Sequence, residues 1–347
     1  MTMSEPRTGS PADTSAPPLL EVDGLMVDFN TDQGWANIVD NATFRLDRGT
    51  TLGLVGESGS GKSVTSLAVM GLLPKSVGRV RSGSIRLDGT ELTGLSERRM
   101  QDIRGDTMAM IFQEPATSLN PAFTVGDQIA EMVRRHRGVN RRLAWDRAIE
   151  VLGEVGIPNA RSRAKAYPHE FSGGMRQRVM IAMAISCEPR LLIADEPTTA
   201  LDVTIQAQVL ALLDRLVRDH DMAMLLITHD LGVIAQVSDE ALVMYAGQIV
   251  ERALVSELYQ LPRHPYSEGL LVSMPQIAPR TSARLASIPG SPPMPWQQPS
   301  GCRFHPRCPY ALERCRHDEA ILVQLSETRS SRCLRVDELD LGRGGNE

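Results

Sequence analysis

The sequence predicts an α/β fold built on parallel β-strands, and three observations favour that fold class. The apolar segment "TLGLV", residues 51–55, is followed by a glycine-rich loop and then by a helix-forming segment. A second apolar segment, Leu191 to Ala194, ends in two adjacent carboxylates. The 347 residues are enough for a substantial hydrophobic core. We therefore expect buried strands and helices, with polar motifs at the strand ends.

The loop that follows the first strand, Gly56 to Ser63, matches the phosphate-loop pattern G-x-x-x-x-G-K-[ST]. Its glycines let backbone N–H groups turn inward around phosphates, and the helix that begins near Gly61 directs its positive dipole end at them. In this pattern Lys62 reaches the β and γ phosphates, and the Ser63 hydroxyl binds Mg²⁺. A plain glycine-rich turn is the alternative, but a strand before the loop and a helix after it disfavour that interpretation. The predicted nucleotide-binding positions here are Gly56, Ser58, Gly59, Gly61, Lys62, Ser63 and Val64.

The second strand ends in Asp195 and Glu196. One carboxylate at such a strand end can hold Mg²⁺, directly or through water, while the next polarises an attacking water. The alternative is a solvated acidic turn, and the presence of a phosphate loop in the same chain disfavours it. We therefore predict Asp195 as a nucleotide-site residue and Glu196 as the catalytic base.

Composition restricts the class of protein. The formal net charge of −5 argues weakly against nucleic acid as the main partner, because nucleic-acid binders usually carry a basic surplus. Residues 1–18 are rich in Pro, Ser and Thr and lack the apolar core of a signal peptide, so we expect a disordered tail. No apolar run approaches the roughly 20 residues that span a bilayer. These features predict a cytoplasmic protein with reduced cysteines.

Five further motifs resemble those of ABC-transporter ATPases. The segment "FSGGMRQR", residues 171–178, is similar to the family's signature motif, although the commonest form begins with Leu and has Gln after the two glycines. Gln113 in "IFQEP" resembles the Q-loop glutamine, Thr199–Asp202 the D-loop, and His229 in "ITHD" the switch histidine. Phe29 lies where the family stacks an aromatic ring on adenine. The resemblance covers roughly residues 19–340.

The resemblance implies a fold and a mechanism. The fold would be an ABC-type P-loop NTPase, α/β, with antiparallel β and helical subdomains and a C-terminal cysteine-containing extension. Two half-sites would pair, so that the signature motif of each subunit contacts the ATP held by its partner. Gln113 would sense the γ-phosphate and bind Mg²⁺, Glu196 would orient the lytic water, and His229 would hold the γ-phosphate. The positions that the resemblance adds to the nucleotide site are Phe29, Ser172, Gly173, Gly174 and Asp202.

The C-terminal part of the chain resembles one subfamily. The segments "HPYSEGLLVSMP", "IPGSPP" and "GCRFHPRCPYALERC" are similar to the C-terminal extension of oligopeptide and dipeptide importer ATPases. This implies an ATPase domain at 19–260, with a helical subdomain at about 114–180, and an extension at 261–340. It also implies a location on the cytoplasmic face of the membrane.

The same resemblance implies partners, and two alternatives stay open. The expected partners are two permease subunits, a second homologous ATPase subunit and, indirectly, an extracellular substrate-binding protein; no nucleic acid is expected. Nickel, opines or glutathione are alternative solutes to peptides. The alternative from another class is a soluble ABC-type remodelling ATPase, although the chain has one phosphate loop where such proteins usually have two ATPase domains.

Four of the five cysteines lie within the segment 301–333. Cys302, Cys308, Cys315 and Cys333 are separated by five, six and 17 residues. In a reducing compartment such a set favours metal over disulfide. Zinc prefers closely spaced cysteine pairs, which this segment lacks, whereas a 4Fe–4S cluster also takes four cysteines. The subfamily resemblance supports a 4Fe–4S cluster; zinc and unmetallated thiols remain the alternatives.

Two subsidiary expectations concern neighbouring residues. We expect the arginines at 303, 307, 314 and 316 to offset part of the cluster's negative charge. The fifth cysteine, Cys187, lies just before the acidic strand and is expected only to pack.

Overall fold

The computed structural model describes residues 17–114, 118–199, 201–274 and 287–342. Most of the predicted tail, residues 1–16, lies outside the described residues, as does residue 200 of the D-loop. The chain divides into two compact units. The first comprises Met1–Asp47, Thr51–Thr93 and Thr228–Glu347, and the second comprises Arg48–Thr50 and Gly94–Ile227.

The described elements are mixed α and β. The strands are β1 (Leu20–Thr31), β2 (Gly34–Leu46), β3 (Thr51–Val55), β4 (Gly78–Leu87), β5 (Thr90–Glu91), β6 (Met108–Ile111), β7 (Leu191–Asp195), β8 (Ala223–Thr228), β9 (Glu240–Tyr245), β10 (Gln248–Leu254), β11 (Val323–Gln324) and β12 (Ser330–Ser331). The helices are α1 (Lys62–Val69), α2 (Glu97–Ile103), α3 (Val125–Arg137), α4 (Arg141–Glu154), α5 (Ala160–Arg163), α6 (Gly173–Ile185), α7 (Val203–Asp219), α8 (Leu231–Val237), α9 (Val255–Gln260), α10 (Pro265–Val272) and α11 (Arg314–His317). Strands β6–β8 and helices α2–α7 belong to the second unit, and the other elements belong to the first.

The first unit contains an antiparallel sheet with the strand order β2–β1–β4–β5. The central strand β1 pairs Leu20 with Leu46 of β2 and with Leu87 of β4. Gly83 of β4 has a φ of +101°, and a Cβ atom there would lie 2.6 Å from the Cα atom of Leu25. Glycine therefore allows β4 to approach β1 closely. This sheet confirms the predicted antiparallel part of the fold.

The phosphate-loop strand β3 lies in a different set of strands of the first unit. It pairs in parallel with β9, from Leu52 opposite Glu240 to Val55 opposite Val243. All five residues of β3 are buried, as expected for a parallel strand. On the other side of β9 come the antiparallel strands β10, β12 and β11. The C-terminal residues 323–331 thus contribute two short strands to the sheet that carries the phosphate loop.

The second unit is organised around the parallel strands β6, β7 and β8. Leu191 of β7 pairs with Met108 of β6 and with Ala223 of β8. Every residue of the three strands is buried, which explains their continuous apolar sequences. The predicted strand at Leu191 to Ala194 is confirmed, and it ends one residue later, at Asp195.

Local capping sets the ends of the helices in the second unit. Helix α3 begins at Val125, where the Thr124 hydroxyl accepts a hydrogen bond of 3.2 Å from the backbone N–H of Asp127. It ends at Gly138, whose φ of +63° closes the last turn. Helix α4 begins after Asn140, whose side chain accepts from the backbone N–H of Leu143. These helices confirm the helical part of the predicted fold.

Within the first unit, a buried ion pair holds the C-terminal extension to strand β10. Glu251 of β10 is fully buried and accepts hydrogen bonds from the backbone N–H of Arg263 at 2.7 Å and from Arg329 at 3.1 Å. Burial raises the pKa of Glu251 despite these donors. Residues 287–300, which follow part of the proline-rich connector, form neither helix nor strand. In the described ranges, no helix combines the length and hydropathy needed to cross a bilayer.

Candidate functional site

The phosphate loop joins β3 to α1 in the first unit, as predicted. Helix α1 begins at Lys62, directly after Gly61, whose φ is +105°; Gly59 has a φ of +79°. These left-handed conformations suit glycine because it has no Cβ atom. They let the backbone turn sharply enough to bring the loop's N–H groups and the start of α1 to one place, where they can bind an anion.

Close backbone contacts explain two of the glycines. A Cβ atom on Gly56 would lie 2.1 Å from the carbonyl oxygen of Met244, at the end of β9. A Cβ atom on Gly61 would lie 2.9 Å from the carbonyl oxygen of Ile38 in β2. The loop is therefore packed against the backbone of two neighbouring strands, and any side chain at these positions would displace it.

Lys62 turns its ammonium group into the loop. Its Nζ atom donates to the carbonyl oxygens of Gly56 at 2.7 Å and Glu57 at 3.0 Å, and to the hydroxyl of Ser60 at 3.4 Å. The residue is only 5% exposed. This places a buried positive charge among the loop carbonyls, where phosphate oxygens can become its partners.

The remaining predicted residues of the first unit differ in exposure. Ser58 and Gly59 are exposed at the tip of the loop, and Ser63 and Val64 are half-buried in the first turn of α1. Phe29 is half-buried on β1, and its ring lies so close to Gly78 that a Cβ atom there would be 3.0 Å from its Cζ atom. His229, the predicted switch histidine, follows the last residue of β8 and is exposed. These placements leave each of the loop-tip and switch residues accessible to a ligand.

The second unit brings together two predicted catalytic residues. The Gln113 side chain donates from Nε2 to Glu196 Oε2 at 3.0 Å. Glu196 has a left-handed backbone with a φ of +47°, and its N–H donates to the carbonyl oxygen of Ile227 in β8. Asp195, one residue earlier, is buried at the end of β7. The turn after β7 thus places the two adjacent carboxylates differently: that of Asp195 is buried, and that of Glu196 lies beside Gln113.

Sequence reasoning assigned Thr199 to the D-loop but missed its contact with Glu196. Its hydroxyl donates to Glu196 Oε2 at 2.8 Å, and its backbone N–H donates to the Glu196 carbonyl oxygen at 3.1 Å. Gln113 and Thr199 therefore both donate to the Glu196 carboxylate and restrict its orientation. The signal was present in the sequence, because Thr199 follows Glu196 by three residues in a turn.

The signature and D-loop residues lie at two helix N-termini of the second unit. Ser172 caps α6 and accepts from the backbone N–H of Met175 at 3.4 Å. Asp202 caps α7 and accepts from the backbone N–H of Ile205 at 3.0 Å. Gly173 is exposed, and a Cβ atom on Gly174 would lie 2.9 Å from the Ile205 side chain. The N-terminus of α6 is thus exposed, and helix N-termini present backbone N–H groups that suit an anion.

The four cysteines of the C-terminal segment lie in one neighbourhood. The backbone N–H of Cys302 donates to the carbonyl oxygen of Cys315 at 2.9 Å, and Cys333 Sγ accepts from the backbone N–H of Arg335 at 3.4 Å. Burial above all, and next the negative charges of the other three cysteines, raise the pKa of Cys308 to about 12. Burial also raises the pKa of Cys333 to about 11. Burial thus favours the neutral thiol form of Cys308 and Cys333.

The structure does not by itself define a metal centre there. Among the described residues, no group of three or more His, Cys, Asp or Glu side chains has an arrangement that could hold a metal ion. Two of the arginines expected to offset a cluster's charge have other partners, because Arg303 pairs with Asp40 and Arg307 pairs with Glu57. Cys187 is buried, as expected, and burial raises its pKa.

Comparison with known proteins agrees with the motifs. Residues 39–199 match the family described as ABC transporter, and residues 250–315 match the family described as oligopeptide/dipeptide transporter, C-terminal region. The chain is 49% identical over 315 residues to the dipeptide transport ATP-binding protein DppD of Escherichia coli, covering 91% of this chain and 96% of that protein. The chain belongs to the ABC transporter family of ATP-binding proteins. As an ABC ATP-binding cassette, it hydrolyses ATP.

Two further comparisons bear on this ABC cassette. It is 49% identical over 320 residues to the oligopeptide transport ATP-binding protein AppD of Bacillus subtilis, covering 92% of this chain and 97% of that one. Among solved structures, it is similar to the dimeric ATP-binding cassette MJ0796 bound to ADP and Pi. That match has a TM-score of 0.61 at 23% identity and covers 68% of this chain and 98% of the other. The structural match confirms the ABC-type P-loop fold.

The residues of this ABC cassette fit magnesium and ATP chemically. The left-handed glycines and the start of α1 provide backbone N–H donors, which suit phosphate oxygens. Lys62 provides a buried positive charge beside them. Ser63 and Asp195 carry oxygen ligands, which Mg²⁺ prefers. ATP and Mg²⁺ are therefore the expected ligands of the cassette.

Proposed function

We propose that this ABC ATPase powers the uptake of dipeptides or oligopeptides through a membrane importer. The observation that carries the proposal is the match of residues 250–315 to the family described as oligopeptide/dipeptide transporter, C-terminal region. This match is more specific than the match of residues 39–199 to ABC transporters in general. Relatives at 49% identity bear names for dipeptide and oligopeptide transport, which supports the same solute class. The location that follows is the cytoplasmic face of the membrane.

The proposed hydrolysis assigns one task to each residue. Lys62 holds the β and γ phosphates, and the loop N–H groups balance their charge. Ser63 and Asp195, directly or through water, would hold Mg²⁺, which would supply positive charge to the phosphates. Glu196 orients the lytic water and accepts its proton. Gln113 and His229 contact the γ-phosphate, and Phe29 stacks on adenine.

The Gln113–Glu196 hydrogen bond has a consequence in this scheme. Gln113 and Thr199 both donate to Oε2 of Glu196. Once Gln113 turns to the γ-phosphate, it releases one acceptor position of Glu196 for the lytic water. We therefore propose that nucleotide binding frees the catalytic base by withdrawing Gln113.

We also propose a paired assembly. Ser172 at the start of α6 and the adjacent Gly173 and Gly174 complete the ATP site of a second, homologous ATPase subunit, and Asp202 lies at the same junction. Ser172 is exposed at a helix N-terminus, which suits an anion on another chain. Two permease subunits receive the movement, and an extracellular binding protein delivers the peptide.

Reconstitution tests the proposed function. The chain would be co-expressed with the permease and ATPase subunits encoded beside it, purified as a complex and placed in proteoliposomes with the cognate binding protein. We expect ATP hydrolysis to rise when di- or oligopeptides are added, and labelled peptide to accumulate in the direction of import. If nickel, an opine or glutathione stimulated ATP hydrolysis and peptides did not, peptides would be rejected as the transported solute. Failure to co-purify with any membrane subunit would instead favour the soluble remodelling class.

For the cysteine segment we propose a structural 4Fe–4S cluster held by Cys302, Cys308, Cys315 and Cys333. The support is the subfamily resemblance together with the convergence of all four cysteines in a segment that is poor in helix and strand. Backbone N–H groups donate to the sulfurs of Cys302, Cys308 and Cys333, and such donors stabilise sulfur ligands that carry negative charge. The cluster would supply folding free energy to this segment.

Metal analysis checks this proposal independently of ATP hydrolysis. Protein purified without oxygen is expected to be brown and to contain about four irons per chain. Serine at any one of the four positions should lower the iron content, whereas Cys187→Ser, which alters a buried cysteine far along the chain, should retain it. Stoichiometric zinc, or an unmetallated protein from the anaerobic preparation, would reject the cluster.

A further inference from the structure

A direct ion pair joins the cysteine segment to the phosphate loop. Arg307 lies between Cys302 and Cys308, and Glu57 is the second residue of the loop. The Arg307 guanidinium donates from Nη1 to Glu57 Oε2 at 2.6 Å and from Nη2 to Glu57 Oε1 at 3.0 Å. This two-point contact fixes direction as well as distance, because the planar guanidinium matches the planar carboxylate.

Arg307 is itself held in place on all sides. Its Nε atom donates to the carbonyl oxygen of Pro289 at 2.8 Å, and its Nη2 atom donates to that of Ile288 at 3.4 Å. Its side chain is only 4% exposed and lies against the ring of Tyr245. A buried arginine with this many partners presents a rigid pair of donors to the loop.

Glu57 is held through its backbone as well. Its N–H donates to the hydroxyl of Tyr266 in α10 at 2.9 Å, and its carbonyl oxygen accepts from Lys62 at 3.0 Å. Tyr266 is fully buried and packs with Phe304, the ring centroids being 5.4 Å apart. One loop residue is thus contacted by α10, by the cysteine segment and by the phosphate-binding lysine.

A second arginine of the same segment supports the loop from another direction. Arg303, directly after Cys302, donates to the carbonyl oxygen of Ala246 at 2.5 Å and pairs with Asp40. The next residue, Gly247, donates its N–H to the carbonyl oxygen of Ser60 at 2.9 Å. The turn between β9 and β10 therefore transmits the position of Arg303 to the middle of the phosphate loop.

We propose that Arg307, through its two-point contact with Glu57, is a positioning residue that sets the phosphate loop for ATP, with the segment Cys302–Cys308 as its rigid support. The inference rests on the proposed nucleotide site and adds a residue that lies about 250 positions from the loop in sequence. Its ligand is the polyphosphate of the nucleotide, which Arg307 affects without touching it.

The physical reason is preorganisation. A phosphate loop binds phosphate through many backbone N–H groups. If the loop is not already ordered, it loses conformational freedom on binding, and this loss weakens the affinity. The Lys62 ammonium donates to the carbonyl oxygens of Gly56 and Glu57 on the other side of the loop residue that Arg307 holds. Arg307 holds the Glu57 side chain independently of Lys62. The loop can therefore keep its shape when the Lys62 ammonium exchanges the loop carbonyls for phosphate oxygens. Removing this restraint should weaken ATP binding more than the chemical step.

The experiment measures ATP affinity and hydrolysis for matched variants of the full chain. Arg307→Met keeps the buried volume but removes the donors, and Glu57→Gln removes the carboxylate charge from the more exposed partner. We expect each to raise the Kd for ATP, measured by calorimetry, by about tenfold, as for loss of a charged hydrogen-bonded pair. In the assembled transporter, KM for ATP should rise by a similar factor while kcat changes by less than about twofold.

Coupling between the two residues is the decisive readout. The double variant Arg307→Met/Glu57→Gln should bind ATP no more weakly than the weaker single variant, because both changes remove the same interaction. Arg307→Lys should restore affinity only in part, since lysine keeps the charge but not the two-point contact. Arg316→Gln is the matched control: this arginine of the same segment is exposed, and wild-type affinity is expected.

The outcomes separate this inference from the proposed nucleotide site. Wild-type ATP affinity in both single variants, or additive effects in the double variant, would overturn the role of Arg307. If Arg307→Met fails to fold, as judged by circular dichroism and melting temperature, Glu57→Gln and Arg307→Lys decide the question in the same way. If Lys62→Ala also leaves ATP affinity unchanged, the nucleotide site itself is wrong.

Discussion

Glu196→Gln should reduce ATP turnover by about 10²–10⁴-fold while ATP binding persists. Glutamine keeps the length of the side chain and an oxygen acceptor, so the hydrogen bonds from Gln113 and Thr199 can remain. It cannot accept the proton of the lytic water, which is the task assigned to the carboxylate. The phosphate loop belongs to the other unit of the chain and keeps its own contacts.

Turnover is measured as phosphate release by the assembled transporter. ATP binding is measured by calorimetry. Glu188→Gln is the matched control, because Glu188 also has a left-handed backbone and lies just before β7, but its carboxylate only pairs with Arg147 at the surface. The control should hydrolyse ATP at the wild-type rate. Hydrolysis by Glu196→Gln within a few-fold of wild type would reject Glu196 as the base.

Lys62→Ala should have its main effect on nucleotide binding. The ammonium has three oxygen partners within the loop, so its removal takes away the charge that phosphate requires and also the contacts that keep the loop closed. Loss of a buried charge-assisted interaction costs about 3–5 kcal/mol when its partner stays buried, which corresponds to at least a hundredfold weaker binding of ATP. Turnover should fall with it.

Calorimetric titration with ATP, with and without Mg²⁺, measures this effect. Lys75→Ala serves as the control, since Lys75 is exposed after α1 and lies outside the loop motif. It should bind ATP like the wild type. Unchanged affinity in Lys62→Ala, with an unchanged melting temperature, would contradict the assignment of the phosphate loop.

The nucleotide motifs were predictable because their chemistry is local. The turn from β3 into α1 needs left-handed residues at Gly59 and Gly61, and only a few residue types satisfy that requirement. The strand at Leu191–Asp195 was predictable for a similar reason, since a fully buried parallel strand has a continuous apolar sequence. Helix α3 had its start marked by a threonine that caps it.

Other features depend on residues that are distant in sequence. Thr199 could have been suggested as a partner of Glu196 from its spacing, but the direction of its hydroxyl depends on the left-handed turn at Glu196. The arginines of the cysteine segment were interpreted by their nearest neighbours, the cysteines. The guanidinium groups of two of them, Arg303 and Arg307, instead extend to Asp40 and Glu57, and no local pattern indicates such partners.

The sequence by itself determined the family, the ATPase chemistry and the order of the motifs along the chain. Each of these is written in short segments in which backbone conformation and residue type constrain one another. Only the tertiary structure decided that the C-terminal segment contacts the phosphate loop, because that contact depends on strands β10 and β12 pairing and on Tyr245, Tyr266 and Phe304 packing together. Burial of those rings places Arg307 beside Glu57, and a contact between such distant residues exists only after the chain has folded.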